Sequence, residues 1–408
     1  MTHSASAGFI AALVLLAAAP ASAQLGPVVA VPGAAPQARA GALTLAPLAK
    51  LDNPFGLAVL PDGGVLVTEK TGKLQLYKDG TLSAPIAGVP KVVFRGQGGL
   101  LDVVLHPRFA ENRILYLSFT ESSDAQPGGA DPCDTRLGPF CEKADNVVKG
   151  LAVLRARLDG DRLADATVIW RAAPKTMGRN HFGGRMAFAA DGMLLVTVGD
   201  RQRFDPAQDK AVDLGKIVRL TADGAPAPGN PFAALGGAGR DVWSLGHRNP
   251  TGIVAAPDGR VWVGEMGPMG GDEINLIEQA KNYGWPLVSE GDNYDATPLP
   301  RPATRPDLER AKTFWNPSVS PSGLMLYTGA AIPAWRGSLL AGGLSSEAII
   351  RVVPAADGVH DIELIPVGFR VRALAEAPDG ALYVLKDGDD GALLRLTVSS
   401  ARQPGAAR

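Results

Sequence analysis

The sequence predicts an all-β fold: a six-bladed β-propeller of four-stranded antiparallel blades, with a site at the mouth of the central channel. Three observations lead there. A strand-turn-strand unit recurs six times, almost no amphipathic helix separates the copies, and a lone hairpin has faces that only neighbouring hairpins can cover. The clearest copy spans residues 53–69, where an apolar strand reaches Leu60, Pro61-Asp62-Gly63 turns the chain, and Val65-Leu66-Val67-Thr68 runs back. Asp-Gly supplies the backbone geometry that a tight hairpin needs. The unit returns over residues 99–107 and 114–119, and again around Ala190-Asp191-Gly192, Pro257-Asp258-Gly259 and Pro378-Asp379-Gly380. A degenerate sixth copy pairs Leu324-Met325-Leu326-Tyr327 with residues 338–342 across a turn at 332–337. The copies define one domain over residues 42–398, and their irregular spacing keeps a β-sandwich, or two small β domains, open as the competing architecture. In a propeller the loops at one end of the channel converge, so residues far apart in sequence share one site.

With 408 residues, 46% hydrophobic and 20% charged, the chain is globular and long enough for a large core. A formal net charge of -1 argues against nucleic acid as the main partner. Residues 8–20 are almost entirely apolar and end on Ala21-Ser22-Ala23, which reads as a cleaved secretory signal over 1–23, although no Lys or Arg precedes the apolar run. The expected location is periplasmic or secreted. That run is too short for a comfortable span and no later one is longer, so stable membrane insertion is not expected. Residues 24–41, rich in Ala, Pro and Gly, form an extended lead-in, and 399–408 a tail. Cys133 and Cys141 sit in a Pro/Gly/Asp-rich insertion over residues 122–146; in an exported protein such a close pair reads as a disulfide that pins a long loop, with no part in catalysis.

Of five histidines, His181 has the setting that suggests chemistry. It lies in Arg179-Asn180-His181-Phe182-Gly183-Gly184-Arg185, between a loop and the strand Met186-Ala187-Phe188, beside two glycines that let backbone or ligand come close. After the apolar run 193–198, Gly199-Asp200 returns a carboxylate to the same end of the strand pair. An Asp accepting from one imidazole nitrogen fixes the tautomer and leaves the other nitrogen free to take a proton. Taken alone, a loop histidine and a turn aspartate are the commoner reading. Four more stretches are too polar and Gly-rich for plain strand ends: Gly96-Gln97-Gly98-Gly99-Leu100-Leu101-Asp102, Gly246-His247-Arg248-Asn249-Pro250-Thr251-Gly252, Glu265-Met266-Gly267-Pro268-Met269-Gly270-Gly271-Asp272-Glu273-Ile274-Asn275, and Asn282-Tyr283-Gly284-Trp285-Pro286.

In order and wording these stretches resemble the soluble pyrroloquinoline quinone (PQQ) dependent sugar dehydrogenases, and among them the aldose sugar dehydrogenases, over residues 53–396. The resemblance implies oxidation of an aldose at its anomeric carbon to the lactone, with PQQ and Ca2+ as cofactors. It places His181 as the general base that takes the anomeric hydroxyl proton while a hydride passes to the quinone, and Asp200 as the carboxylate that orients it. Gln97 falls near the reactive carbonyl, Arg248 and Asn249 on the quinone oxygens, and Asn180 also on the cofactor. The carbonyls of Gly267 and Pro268 match ligands of a catalytic calcium, and Arg370 and Arg372 match partners of the cofactor's carboxylates. Glu273 and Tyr283 match a second, structural calcium.

The chemistry is coherent. A planar tricarboxylate with an electrophilic ortho-quinone needs cations for its carboxylates and a Lewis acid at its carbonyl. Arg suits the first and calcium, which accepts carbonyl oxygens, the second. Singly, Arg370 and Arg372 also read as an exposed strand face, Arg248-Asn249-Pro250 as a turn, and Trp315-Asn316-Pro317-Ser318 either as part of the substrate side or, for Trp315, as core. Two departures stand out. Ser345 occupies a position where relatives usually carry Lys, leaving Arg336 or Lys386 to supply the cation, and Met266 replaces a polar residue before the Gly-Pro turn. These changes keep a non-catalytic sugar- or protein-binding propeller in view as the alternative, while a calcium-dependent lactonase would need a carboxylate and Asn cluster on the channel axis. The sequence leaves the sugar, the oligomeric state and the electron acceptor, a quinone or a cytochrome, open.

Overall fold

The computed structural model describes residues 37–400 apart from Glu142, Ala144 and Asp357; the predicted signal segment, most of the lead-in and residues 401–408 lie outside these. The strands form six antiparallel sheets arranged as a six-bladed propeller. Five blades are continuous stretches, residues 54–82, 100–171, 183–245, 250–315 and 321–366. The sixth joins residues 371–400 to the N-terminal strand Gly41–Leu51, which pairs with Gly391–Ser400 from Gly41 opposite Ser400 to Leu51 opposite Gly391. Strands from both ends of the described chain therefore close the ring by pairing with each other. Gln37–Ala38 adds a short fifth strand there, so pairing begins inside the stretch expected to be an extended lead-in. Among the described residues the one α-helix is Phe109–Asn112, and no helix is long and apolar enough to cross a membrane.

Local chemistry sets the hairpins. In four blades a Gly at φ of +80° to +88° ends the turn between the first two strands: Gly63, Gly192, Gly259 and Gly380. The preceding Asp accepts a hydrogen bond from the backbone N–H two residues on, Asp62 from Gly64 at 3.2 Å, Asp191 from Met193 at 3.0 Å, Asp258 from Arg260 at 3.0 Å and Asp379 from Ala381 at 3.2 Å. An Asp that satisfies the turn and a Gly that tolerates the left-handed region explain why the same dipeptide recurs. Apolar clusters then fill all six gaps between blades; Leu66, Leu74, Leu115 and Leu117 meet between the first two, and Leu385, Leu393, Val65 and Val67 between the last and the first. Trp315 is fully buried between the fourth and fifth blades, so it is core rather than site.

The channel is lined by the first strand of each blade: Pro54–Val59, Leu100–Leu105, Gly183–Phe188, Pro250–Ala255, Pro321–Leu326 and Val371–Glu376. Each carries one extra residue against its partner strand at the same level. Such bulges bend a strand and re-aim its side chains. Phe55, Asp102, Arg185, Thr251 and Arg372 lie in these bulges, and they meet on Arg185. Its guanidinium pairs with Asp102 at 3.1 Å, donates to the carbonyls of Thr251 and Arg372 at 3.1 Å each, reaches Ser322 Oγ at 3.5 Å and stacks on Phe55 at 4.2 Å. One buried side chain from the third blade thus touches the other five. This layer divides the channel into a cavity of about 450 Å³ at one end and one of about 120 Å³ behind it.

Candidate active site

The imidazole of His181 and the carboxylate of Asp200 meet at 2.7 Å, Nδ1 to Oδ1, with His181 5% exposed and Asp200 fully buried. Gly199 permits the approach, because a Cβ there would collide with the His181 carbonyl oxygen. His181 itself sits at φ +53°, a strained region for a residue with a side chain. It is held there by its N–H, which donates to Gln97 Oε1 at 2.8 Å, and by its carbonyl, which accepts from the Arg201 N–H at 3.3 Å. The second Asp200 oxygen accepts from Trp285 Nε1 at 2.7 Å, and Oδ1 also accepts from the Gln202 N–H. Burial, and then the nearby Arg248, push the imidazole down to about 4 despite the Asp200 carboxylate. Burial acts upward on Asp200, but His181 and Arg248 outweigh it and hold its pKa below the usual carboxylate value. The ring is therefore neutral at working pH, with Nδ1–H on the carboxylate and Nε2 as the basic nitrogen.

Gln97, Asn180, Asn249, Arg370 and Arg372 all line the larger cavity, with Phe55, Phe182, Met266 and Tyr294. His181, Asp200 and Arg248 stand directly behind that wall: Gln97 joins His181 to Asn249, whose Nδ2 donates to Oε1 at 3.3 Å, and the Asp200 N–H donates to the Arg248 carbonyl at 2.8 Å. Four basic side chains face the cavity, Lys70, Arg179, Arg370 and Arg372, against one lining carboxylate, Asp387. A volume inside the range of small-molecule sites and this excess of cations suit a flat polyanion such as PQQ. Ser345 is exposed and outside the cavity. Neither replacement proposed for it holds: Arg336 lies beyond the cavity at the end of the Pro333–Trp335 turn, and Lys386 pairs with Asp390 at 2.6 Å. Lys70 occupies the wall instead.

The Arg248 guanidinium donates to the Met266 and Gly267 carbonyls at 3.1 and 2.5 Å and to Tyr294 Oη at 3.2 Å; among the described residues no carboxylate pairs with the guanidinium, while the Arg248 N–H donates to Glu265 Oε2 at 2.9 Å. Gly267 and Pro268 do not line the large cavity; the loop reaches it through Met266. Backbone carbonyls are the kind of donor calcium takes, but the Gly267 oxygen is engaged by the Arg248 guanidinium, so a calcium at this turn would have to displace or share that bond. Glu273 and Tyr283 converge on a separate cavity of about 20 Å³ with Glu265 and Gly267. Burial, and then the Glu265 charge, raise the Glu273 carboxyl well above its ordinary value, and among the described residues no basic side chain pairs with it. A half-buried carboxyl beside a second one, held on one side by Asn275 at 3.2 Å, is donor chemistry that a divalent cation relieves.

The disulfide loop is closer to this machinery than the sequence suggested. Cys133 and Cys141 are bonded, and Leu137 between them packs with Phe204 and Trp285 in a small core that also touches Tyr294. The Phe140 ring lies 4.5 Å from that of Tyr294. The loop thus props Trp285, which holds Asp200, and Tyr294, which holds Arg248. Replacing both cysteines by Ser is expected to cost about 2–4 kcal/mol in a denaturant titration, and to lower turnover together with stability because the prop loosens.

Lys70, Trp285, Tyr294, Arg179 and Arg185 carried no assignment in the sequence. One signal was available for the first. The strand pairs Pro54 with Glu69, Pro250 with Glu265, Pro321 with Gly343 and Val371 with Lys386 occupy equivalent levels, and the next residues along, Lys70, Met266, Leu344 and Asp387, line the cavity. Aligning the repeats on their second strands would have placed Lys70 beside Asp387.

Fold and site together define a class: a six-bladed propeller whose loops gather basic side chains and a buried His–Asp pair at one mouth of the channel. The family model described as Glucose / Sorbosone dehydrogenase matches residues 51–395, and the chain belongs to that family. Aldose sugar dehydrogenase YliI of Escherichia coli (strain K12) is 38% identical over 357 residues, which cover 85% of this chain and 91% of that protein. Quinoprotein glucose dehydrogenase B of Acinetobacter calcoaceticus is 27% identical over 423 residues, covering 83% and 84%. The structure of the PQQ-bound form of Aldose Sugar Dehydrogenase (Adh) from Streptomyces coelicolor superposes with a TM-score of 0.67 at 27% identity, covering 88% of this chain and 99% of that one.

Proposed function

We propose that this protein oxidises aldose sugars at the anomeric carbon to the lactone, using PQQ and calcium, after export to the periplasm or beyond. The observation that carries the reading is the continuity of the cation-lined cavity with the His181–Asp200 pair through Gln97. Arg370 and Arg372 would hold the cofactor's carboxylates, Gln97, Asn180, Asn249 and Arg248 its oxygens, and the Gly267 and Pro268 carbonyls the catalytic calcium. Glu273 and Tyr283 would hold a second, structural calcium. Bound PQQ supplies a calcium-polarised ortho-quinone, the hydride acceptor. His181 Nε2 takes the proton of the anomeric hydroxyl, and Asp200 stabilises the imidazolium that results. Trp285 and Gln202 keep that carboxylate in place. Electrons leave to a small quinone or a cytochrome.

Purified apoprotein given PQQ and calcium should reduce a redox dye with one or more aldoses, and EDTA should lower that rate at least about tenfold until calcium is restored. A loaded protein that binds sugar but reduces no dye would instead make it a binding propeller. The pH profile is a separate check. With the His181 pKa lowered to about 4, the base stays unprotonated above that value, so kcat/KM should hold level from neutral pH to about pH 5 and fall about tenfold per unit below the pKa. An acid limb near 6.5 would contradict the buried setting of the ring.

A further inference from the structure

Lys70 follows directly on the second strand of the first blade, Val65–Glu69, and lines the large cavity beside Arg370 and Arg372. Its backbone is fixed. The N–H donates to the Asn53 carbonyl at 2.9 Å, its carbonyl accepts from Leu100 at 3.1 Å, and a Cβ on Gly99 would collide with that carbonyl. The ammonium lies 5.5 Å over the Phe94 ring. The fold provides acceptors to other buried lysines: Lys149 has Asp145 at 2.9 Å, and Lys216 has the carbonyls of Pro206, Ala207 and Leu214. Among the described residues Lys70 has neither a carboxylate nor a carbonyl within hydrogen-bond distance. The nearby Asp387 is taken by Arg370 at 3.0 Å and Arg372 at 2.7 Å. A half-buried ammonium facing a cavity, with two guanidinium groups beside it and no acceptor of its own, is a place for an anion to bind. Its electrostatics agree: burial first, and then Arg372 and Arg370, push the amine down to about 8 against the pull of Asp387.

We propose that Lys70 binds a carboxylate of the cofactor, supplying from the first blade the cation that is missing at Ser345, so that the cavity selects a polycarboxylate quinone over an uncharged one. The proposal rests on the PQQ reading above and adds a residue from a different blade to it. Because Arg370 and Arg372 share Asp387, Lys70 stands beside them with no carboxylate partner of its own among the described residues.

The test is calorimetric titration of PQQ into calcium-loaded apoprotein for the wild type, Lys70→Met and Lys70→Arg, repeated with the PQQ trimethyl ester, whose carboxylates carry no charge. Losing one charge-assisted hydrogen bond should raise the PQQ Kd about tenfold or more in Lys70→Met, with Lys70→Arg within about threefold of wild type. Neither variant should change the Kd of the ester. In wild type, NMR of 13Cε-labelled lysine should show the Lys70 pKa rising when PQQ is added, a readout that needs no variant to fold. An unchanged PQQ Kd in folded Lys70→Met, an equal loss for PQQ and ester, or a Lys70 pKa indifferent to PQQ would each overturn the assignment while leaving the PQQ reading intact. Wild type that binds no PQQ would remove both.

Discussion

His181→Ala is expected to lower kcat for aldose oxidation by about 10²–10⁴-fold, the usual range for removing a positioned general base. The loss should fall on kcat more than on KM, because the imidazole is nearly enclosed and sits behind the cavity wall formed by Gln97, Asn180 and Phe182. PQQ affinity should change little, which separates loss of chemistry from loss of the cofactor. The φ of +53° at this position gives the experiment a control. His181→Gly relieves the backbone strain yet should be as inactive as Ala, so a gain in stability without activity would place the strain at a site kept for chemistry. A loss of only a few-fold in both variants would remove His181 from the mechanism.

Arg185→Met should be the most destabilising single change in the channel, by about 3–5 kcal/mol, because it leaves the Asp102 carboxylate buried without its partner. Asp102 has little else to compensate: its Oδ2 accepts only from the Met186 N–H, at 3.0 Å. Burial raises its pKa, outweighing the downward pull of the Arg185 charge. The double variant Arg185→Met with Asp102→Leu should recover much of the loss, since replacing both members of a buried pair is far cheaper than removing one. Denaturant titration of the single and double variants checks this; a single variant within about 1 kcal/mol of wild type would mean that the six bulges hold their layer without the guanidinium at its centre.

Much of this was legible in the chain. Asp62-Gly63, Asp191-Gly192, Asp258-Gly259 and Asp379-Gly380 announce hairpins because turn geometry is a local property, decided by one left-handed residue and one side chain reaching two residues on. The pairing of His181 with Asp200 was also within reach, since both flank one hairpin and the strand between them fixes their separation. Lys70 was not found because its meaning depends on Arg370, Arg372 and Asp387, which arrive from the other side of the ring closure. The role of the disulfide loop is not legible in the sequence because its contacts are with Trp285, Phe204 and Tyr294, none of them near it along the chain.

The sequence alone determined that the chain is built of recurring antiparallel hairpins and which short polar stretches interrupt them, since turns, strand alternation and apolar spacing act over a few residues; that the hairpins close into a ring of six sheets was decided by the tertiary structure. The tertiary structure alone decided how charge is shared in the cavity. Closing the ring through Gly41–Leu51 brings the first and last blades together. Arg370, Arg372 and Asp387 share one hairpin of the last blade, and closure sets Lys70 of the first blade beside them with that carboxylate already engaged, because electrostatic partnership follows distance through space and not distance along the chain.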